Sequence, residues 1–117
     1  MSGLLSYKSG LCAEEAVARH YAQSGATVAE KRWRRGAGEI DLIVRDGTSV
    51  VFVEVKKAAT HAAAAARITT RQMARIHASA SEFLGGEPAG QNTECRFDVA
   101  LVDAMGRIEI VSNAYCG

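Results

Sequence analysis

Residues 38–57 read GEIDLIVRDGTSVVFVEVKK, and this stretch decides the fold. Apolar and acidic side chains alternate over residues 39–44, which is typical of a strand with one polar end. The Asp46-Gly47 pair supplies the positive φ angles that a tight hairpin turn requires. Residues 50–56 are almost continuously apolar and β-branched, as in a central strand covered on both faces. The stretch therefore predicts an antiparallel hairpin whose second strand lies deep in a sheet.

The segments on either side of this hairpin predict further helices and strands. Apolar residues at helical spacing indicate a first helix over residues 10–24. Residues 27–34 alternate loosely and predict an edge or outer strand. High helix propensity and an apolar stripe predict one helix over residues 62–84. Two more strands are predicted at residues 95–102 and 107–111, so the chain is expected to form an α/β fold.

Four charged side chains are predicted to converge at one end of the hairpin. Side chains two apart on a strand share a face, so Glu39 projects with Asp41, and Glu54 projects with Lys56. A turn at the Asp-Gly pair joins positions whose numbers sum to about 93 to 95, which sets Asp41 opposite one of residues 52–54. Crowded carboxylates repel each other, so such a cluster is stable mainly when a cation or a shared proton neutralises it.

This acidic cluster suits a hard divalent cation. Mg²⁺ or Mn²⁺ bound by one or two carboxylates keeps open positions for water, and that water can attack a phosphodiester. Lys56 is suited to orient or deprotonate the water, or to stabilise charge on the phosphorus. The residues alone leave a structural charge network open as well, because a lone Glu-x-Lys is often a surface ion pair worth less than about 1 kcal/mol.

The same motif resembles that of a known protein family. GEIDLI at 38–43, the short Asp-Gly turn and VFVEVK at 51–56 closely resemble the YraN-like family of bacterial proteins, within the restriction-endonuclease-like PD-(D/E)xK superfamily. Archaeal Holliday-junction resolvases are the characterised relatives that the chain is most similar to. Glu14, the pair 71–72 and the stretch 95–99 also look like family positions. The resemblance implies a restriction-endonuclease-like α/β fold, a central mixed β-sheet flanked by helices.

Position by position, the resemblance also implies a metal site and a catalytic set. Glu14 matches the helix-borne carboxylate that assists in resolvase-like members, and Gln72 matches a glutamine on the helix after the lysine. The implied metal, Mg²⁺ or Mn²⁺, would be held by Asp41, Glu54 and Glu39. The implied catalytic residues are Asp41, Glu54, Lys56, Glu14 and Gln72.

Basic residues outside the motif predict contact with nucleic acid, DNA in the first place. The formal net charge is only +1, so such a partner must be met by local patches. Four cations surround Trp33 in segment 31–35, which suits backbone contacts and base stacking. A second patch, Arg67, Arg71 and Arg75, is spaced four apart. The residues predicted to contact nucleic acid are Lys31, Arg32, Trp33, Arg34, Arg35, Lys57 and Arg71.

Plainer interpretations of several of these residues stay open. Glu14 and Gln72 are also what a solvated helix surface carries, and segment 31–35 has the pattern of a solvated strand. Asp98 lies between apolar residues of a strand, and we predict a structural pairing with Arg96 or a backbone amide. It is therefore left out of the site.

Length and composition bound the remaining expectations. The chain has 117 residues, 48% of them apolar and 23% charged, which predicts one domain over residues 1–117 with a real core. No apolar stretch approaches the roughly 20 residues of a membrane span, and no secretory signal is visible, so we expect a cytoplasmic protein. Cys12, Cys95 and Cys116 are odd in number and widely spaced, which predicts reduced thiols.

These observations predict a Mg²⁺- or Mn²⁺-dependent nuclease acting on DNA, with branched or structured DNA as a candidate substrate. One alternative is a non-catalytic nucleic-acid-binding module with a vestigial nuclease site, and another is a protein-interaction adaptor that uses the sheet edge. The loop KAATH at 57–61 departs from the Gly-containing loop of the relatives, so substrate preference stays open. A homodimer is implied by resemblance only, since resolvase-like relatives act as dimers.

Overall fold

The computed structural model describes the backbone of residues 3–114 and the side chains of residues 12–114. A long helix is followed by three strands, two helices, a short 3-10 helix and two further strands. The bounds are α1 Gly3–Gln23, β1 Thr27–Arg35, β2 Gly38–Asp46, β3 Ser49–Lys57, α2 His61–Ala65, α3 Thr70–Leu84, the 3-10 helix Gly90–Asn92, β4 Cys95–Val102 and β5 Ile108–Val111.

The five strands form one mixed sheet in the order β1-β2-β3-β4-β5. The β1–β2, β2–β3 and β4–β5 pairs are antiparallel, and β3 pairs with β4 in parallel. As predicted, β3 is the central strand and β1 lies at an edge. The fold is α/β, with helices flanking a mixed sheet in a manner consistent with a restriction-endonuclease-like arrangement, and the predicted fold class is confirmed.

Helices cover the sheet on both faces because the central strand is apolar on both faces. Val51 and Val53 of β3 contact the buried side of α1, whereas Val50 and Phe52 lie in the cluster that includes α3. All four side chains are at most 1% exposed. The predicted coverage of this strand on both faces is therefore confirmed.

The alternation of β2 is interrupted at Asp41. Leu42 lies in the cluster beneath α1, but Ile40, two residues earlier, lies in the opposite cluster beneath α3. On the neighbouring strand, Arg32 lies between the pairs Lys31↔Leu42 and Trp33↔Ile40 and has a φ of +52°. This local irregularity takes the Asp41 side chain out of both core layers.

The helix predicted over residues 62–84 is divided in the structure, and that prediction is corrected. Helix α2 ends at Ala65 and α3 begins at Thr70. The break occurs because the Thr69 side chain caps α3 by accepting a 3.1 Å hydrogen bond from the Gln72 backbone N–H. A threonine N-cap satisfies an orphan helix donor and needs extended backbone, which Thr69 adopts.

The predicted start of the first helix was also wrong, whereas its end was right. Helix α1 begins at Gly3 rather than at residue 10. It ends beside Gly25, whose φ of +98° allows the Ala26 N–H to donate back to the Tyr21 carbonyl at 3.1 Å. This is the reversal that glycine permits after a helix.

Three further expectations can be compared with the described residues. None of the helices between residues 3 and 114 has the length and apolar character needed to cross a bilayer. Cys12 and Cys95 are free thiols, and Cys116 lies outside the described residues. Asp98 is fully buried and accepts hydrogen bonds from Arg96 Nε and from the Asn113 N–H, which confirms its predicted structural pairing.

Candidate active site

The site is built on the point where β2 and β3 separate. Their pairs run from Asp46↔Ser49 to Leu42↔Val53, within the register predicted from the Asp-Gly turn. The paired residues end at Leu42. At the next position along β2, Asp41 Oδ2 accepts a 2.8 Å hydrogen bond from the Val55 N–H. The backbone of the central strand therefore fixes the orientation of this carboxylate.

Glu54 lies next to Asp41 and is only 7% exposed. Its Oε2 is 3.3 Å from Lys56 Nζ and also accepts a 3.3 Å hydrogen bond from Gln72 Nε2 of α3. Two strands and one helix thus supply the groups around Glu54. The predicted juxtaposition of Asp41, Glu54 and Lys56 is present in the structure.

Two carboxyl groups of the site have raised pKa values. The pKa of Glu54 is raised to about 8, first by burial, then by the negative charge of Asp41 and a hydrogen bond with it, against the lowering effect of Lys56. The pKa of Glu14 on α1 is raised to about 6, first by burial and then by Asp41, while Arg32 lowers it and Glu39 raises it. The cluster therefore holds protons or needs additional positive charge near neutral pH.

An open cavity of about 390 Å³ joins these groups. All five residues predicted to be catalytic line it, as does Glu39. Near the mouth, Arg32 Nε lies 4.0 Å from one carboxylate oxygen of Glu14 and 4.0 Å from one of Glu39. The residues predicted for catalysis and metal binding that line this cavity are Glu14, Glu39, Asp41, Glu54, Lys56 and Gln72.

The residues predicted to contact nucleic acid are only partly gathered at this cavity. Arg34 lines it, whereas Lys31 and Arg32 line a neighbouring depression between α1 and Asp41. Arg35, Lys57 and Arg71 are not among the lining residues of the cavity. The basic residues predicted to contact nucleic acid are therefore not gathered in one patch at the cavity.

The stacking role predicted for Trp33 does not fit the structure. Its side chain is only 8% exposed and packs edge-to-face on Phe83, with a ring-centroid distance of 5.4 Å. The Arg35 guanidinium lies over the ring, 4.9 Å from its centroid. A base cannot stack on this ring without displacing Arg35 or opening the core, so we correct that prediction.

Arg75 is a lining residue that was not predicted as part of the site. It lies one turn beyond Gln72 on α3 and had been noted only for its four-residue spacing from Arg71. The signal that points to it is the i, i+3 relation with Gln72, which puts both side chains on one helix face. The sequence had led us to select Arg71, which is not among the lining residues of the cavity.

The donor set fits a hard divalent cation that keeps most of its water. Within residues 12–114, no group of three His, Cys, Asp or Glu side chains is close enough to hold a metal as arranged. Asp41 and Glu54 are, however, the one or two carboxylates that Mg²⁺ commonly takes from a protein, with water completing the shell. In addition, Gln72 Oε1 is buried and has no hydrogen-bond partner within the described part of the chain, so a donor is missing at this cavity.

Fold and cavity together define the class of protein: a restriction-endonuclease-like α/β protein with a cleft lined by carboxylates and lysine. Within that class, a model of the "Uncharacterised protein family UPF0102" matches residues 13–102. The chain belongs to the UPF0102 family, which is the YraN-like family that the motif predicted.

Individual relatives extend this similarity to nearly the whole chain. A UPF0102 protein of Cereibacter sphaeroides is 64% identical over 115 residues, which cover 98% of each chain. One from Ruegeria pomeroyi is 52% identical over 113 residues, covering 97% of this chain and 92% of the relative. One from Dinoroseobacter shibae is 41% identical over 111 residues, covering 95% of this chain and 83% of the relative.

Proposed function

We propose that the protein is a divalent-metal-dependent nuclease that hydrolyses DNA phosphodiester bonds. The observation that supports this most strongly is the arrangement of Asp41, Glu54 and Lys56 side by side in an open cavity. Burial and like charge raise the pKa of Glu54 to about 8, so the charged cluster opposes folding at neutral pH. A structural role gives no reason to keep such a cluster open to solvent.

Asp41 and Glu54 would hold Mg²⁺ or Mn²⁺. When bound, the metal would offset charge on the phosphate oxygens and lower the pKa of a bound water. Asp41 is suited to this role because the Val55 N–H fixes its carboxylate. Glu54 is suited because a cation would remove the repulsion that raises its pKa.

Lys56 would act on the phosphate or on the attacking water. Its ammonium is held 3.3 Å from Glu54 Oε2, beside the cavity, and a cation bound to Glu54 would weaken that ion pair. The ammonium would then stabilise negative charge on the phosphate or orient the water. Gln72 would keep Glu54 in position through its amide, and its buried Oε1 would be free to accept a hydrogen bond from a metal-bound water.

Glu14 and Glu39 form the outer acidic wall of the cavity. Arg32 lies within 4.0 Å of both, so part of their charge is already neutralised. We assign Glu14 an assisting role, as the family resemblance implies, and we give Glu39 a peripheral place in the metal site because it lines the same cavity. DNA is the favoured polymer on the same resemblance, and branched DNA is the first candidate form.

Cleavage of a labelled DNA panel tests this proposal. Single-stranded, duplex, flap and four-way-junction DNA are incubated with Mg²⁺ or Mn²⁺ and with wild type, Lys56→Ala or Lys57→Ala. We expect wild type to cut at least one form and Lys56→Ala to lose on the order of a hundredfold or more in rate, as for loss of a general acid–base group. Lys57→Ala removes a neighbouring ammonium that is predicted to contact DNA but does not line the cavity, so we expect it to raise KM and to leave kcat close to that of wild type.

Equal cutting by wild type and Lys56→Ala would reject the mechanism. Cutting that persists in a metal chelator would reject the dependence on a divalent ion. The substrate form that wild type cuts fastest would define the shape that the cavity accepts.

One observation favours a second candidate, a non-catalytic nucleic-acid-binding module. Among the side chains of residues 12–114, no three metal-binding residues are close enough to hold an ion, and Lys56 Nζ lies 3.3 Å from Glu54 Oε2. On this alternative, DNA binding survives Lys56→Ala and no substrate is cut with either metal. The same panel, read for binding by gel shift, separates the two candidates.

A further inference from the structure

Two arginines in the cavity are without partners in the region that the structure describes. Arg34 comes from the end of β1 and Arg75 from the second turn of α3, and both line the cavity. Four carboxylates line the same cavity, yet neither guanidinium is within 4.0 Å of a carboxylate oxygen of the described residues. Neither arginine is therefore held in an ion pair by these carboxylates, although Arg34 lies opposite Glu39 in the β1–β2 register. We call the two arginines the arginine wall and the four carboxylates the carboxylate wall.

The other two cations of this region differ in that respect. Lys56 is 3.3 Å from Glu54, and Arg32 lies between Glu14 and Glu39. Those two cations contact carboxylates of the acidic cluster, whereas Arg34 and Arg75 are in no ion pair with it. An arginine presents a planar set of donors that matches phosphate oxygens, so two unpaired guanidinium groups favour an anionic ligand of that kind.

Gly38 lines the cavity next to Arg75 and leaves space there because it has no side chain. Gly38 has a φ of +146°, and a Cβ placed there would lie 3.5 Å from Ser79 Oγ and 4.0 Å from Arg75 Cβ. Behind it, Ser79 is fully buried and its hydroxyl has no hydrogen-bond partner among residues 12–114. A side chain at position 38 would fill the space next to Arg75 that a ligand needs.

We propose that Arg34 and Arg75 form a phosphate-binding subsite, which holds the phosphate next to the one that is cleaved. This inference rests on the proposed nuclease function. The carboxylate wall takes the scissile phosphate through the metal, and the arginine wall takes its neighbour on the same strand. The substrate class is then a strand with at least two consecutive phosphates.

The size of the cavity agrees with this assignment. Its volume of about 390 Å³ falls within the range of roughly 300 to 1,000 Å³ that is usual for small-molecule sites. Successive phosphates of one strand are separated by roughly 3.4 Å along the axis of a duplex, so two can reach one cavity of this size.

The test measures binding of a fluorescein-labelled trithymidylate, which has two internucleotide phosphates. The probe is made in three forms: unmodified, or with a neutral methylphosphonate at the first or the second linkage. Anisotropy titrations in a metal chelator compare wild type, Arg34→Ala, Arg75→Ala and Arg19→Ala. Arg19 is the control because it is an exposed arginine of α1 that does not line the cavity and is not predicted to contact nucleic acid.

We expect Arg34→Ala and Arg75→Ala to bind the unmodified probe on the order of tenfold more weakly, as for a lost charge-assisted hydrogen bond. A methylphosphonate at one linkage should weaken wild type by a similar factor and Arg75→Ala by much less. The salt slope of log K should become shallower by about 0.7 when one phosphate contact is lost from a single strand. Arg19→Ala should match wild type, and Arg75→Lys should recover only part of the loss.

Losses as large in Arg19→Ala as in Arg75→Ala would overturn the subsite, as would an equal methylphosphonate effect in wild type and Arg75→Ala. Because binding is measured without metal, a failure of the subsite proposal can be distinguished from a failure of the nuclease proposal. If wild type cuts no DNA but the arginine effects are present, the subsite stands and the nuclease fails. If wild type cuts DNA and the arginine variants bind normally, the subsite fails and the nuclease stands.

Discussion

Two buried carboxyl groups on neighbouring strands show how differently the same chemistry is used in this molecule. Asp98 of β4 is fully buried and accepts hydrogen bonds from Tyr21 Oη at 2.7 Å, from Arg96 Nε at 3.2 Å and from the Asn113 N–H at 3.0 Å. Glu54 of β3 is 7% exposed, faces another carboxylate and borders an open cavity.

The difference lies in the partners and not in burial. Asp98 meets a guanidinium, a hydroxyl and a backbone donor, which satisfy its oxygens and tie α1 to the sheet. Glu54 meets Asp41, and burial with this like charge raises its pKa to about 8. We infer that Asp98 stabilises the fold, whereas Glu54 lowers stability unless a cation is bound.

The largest effect is expected when the negative charge next to Glu54 is removed. Asp41→Asn removes the negative charge next to Glu54 but keeps an oxygen for the Val55 N–H. Cleavage of DNA should fall by on the order of a hundredfold or more, because a metal carboxylate is lost. The free energy of unfolding at neutral pH should rise by about 1 kcal/mol, since one unit of pKa shift corresponds to about 1.4 kcal/mol. Rates and urea unfolding curves measure the two effects, and a loss of both activity and stability would contradict this account.

Asp98→Ala should lower the free energy of unfolding, in contrast to Asp41→Asn. It leaves Arg96 and the Tyr21 hydroxyl without their shared buried acceptor, so we expect a loss of about 3 kcal/mol in the free energy of unfolding. Tyr21→Phe removes a single donor to the same carboxylate and should cost about 1.5 kcal/mol. Urea unfolding of both variants provides the comparison, and equal losses would show that Asp98 is not the centre of the network.

The pH dependence of stability sharpens the comparison further. The pKa of Glu54 is about 8 in the folded protein and about 4.5 when unfolded. Between these two pH values the folded state therefore binds more protons than the unfolded state. The stability that the protonated Glu54 contributes is fully present below about pH 4.5 and is lost as the pH rises to about 8. Glu54→Gln should make stability less dependent on pH across this window. Urea midpoints measured at several pH values check this, and wild-type stability that rises through the window would be the contrary result.

The smallest expected effect concerns the positive φ of Arg32. A left-handed conformation costs a residue with a Cβ about 1 to 2 kcal/mol, and glycine avoids that cost. Arg32→Gly and Arg32→Ala both remove the cation near Glu14 and Glu39, but only the alanine variant keeps the strain. Arg32→Gly should therefore be the more stable of the two by about 1 kcal/mol in thermal or urea unfolding. The reverse order would show that Arg32 is not strained.

Much of this arrangement could be predicted because it depends on local signals. The Asp46-Gly47 turn sets the register that brings Asp41 to Glu54, and the apolar run of β3 identifies a central strand. Glu14 and Gln72, which come from distant helices, were predicted only through family resemblance. Both line the cavity.

The parts that were not predicted depend on tertiary structure. The alanine-rich segment has the propensity for one helix, but the Thr69 cap divides it. Trp33 has cationic neighbours in sequence, yet its ring belongs to the core because Phe83 of α3 covers it. Arg75 was overlooked because only the packing of α3 on the sheet shows which of its arginines lines the cavity.

A calorimetric titration of the protein with Mn²⁺ tests the central claim most directly. The account predicts that wild type binds the ion with release of protons at neutral pH, since the pKa of Glu54 is about 8 without metal. Asp41→Asn and Glu54→Gln should each bind much more weakly, and Asp98→Ala, measured where it stays folded, should bind as wild type does. Absence of binding in wild type, or equal binding in Asp41→Asn, would contradict the assignment of a metal-dependent site.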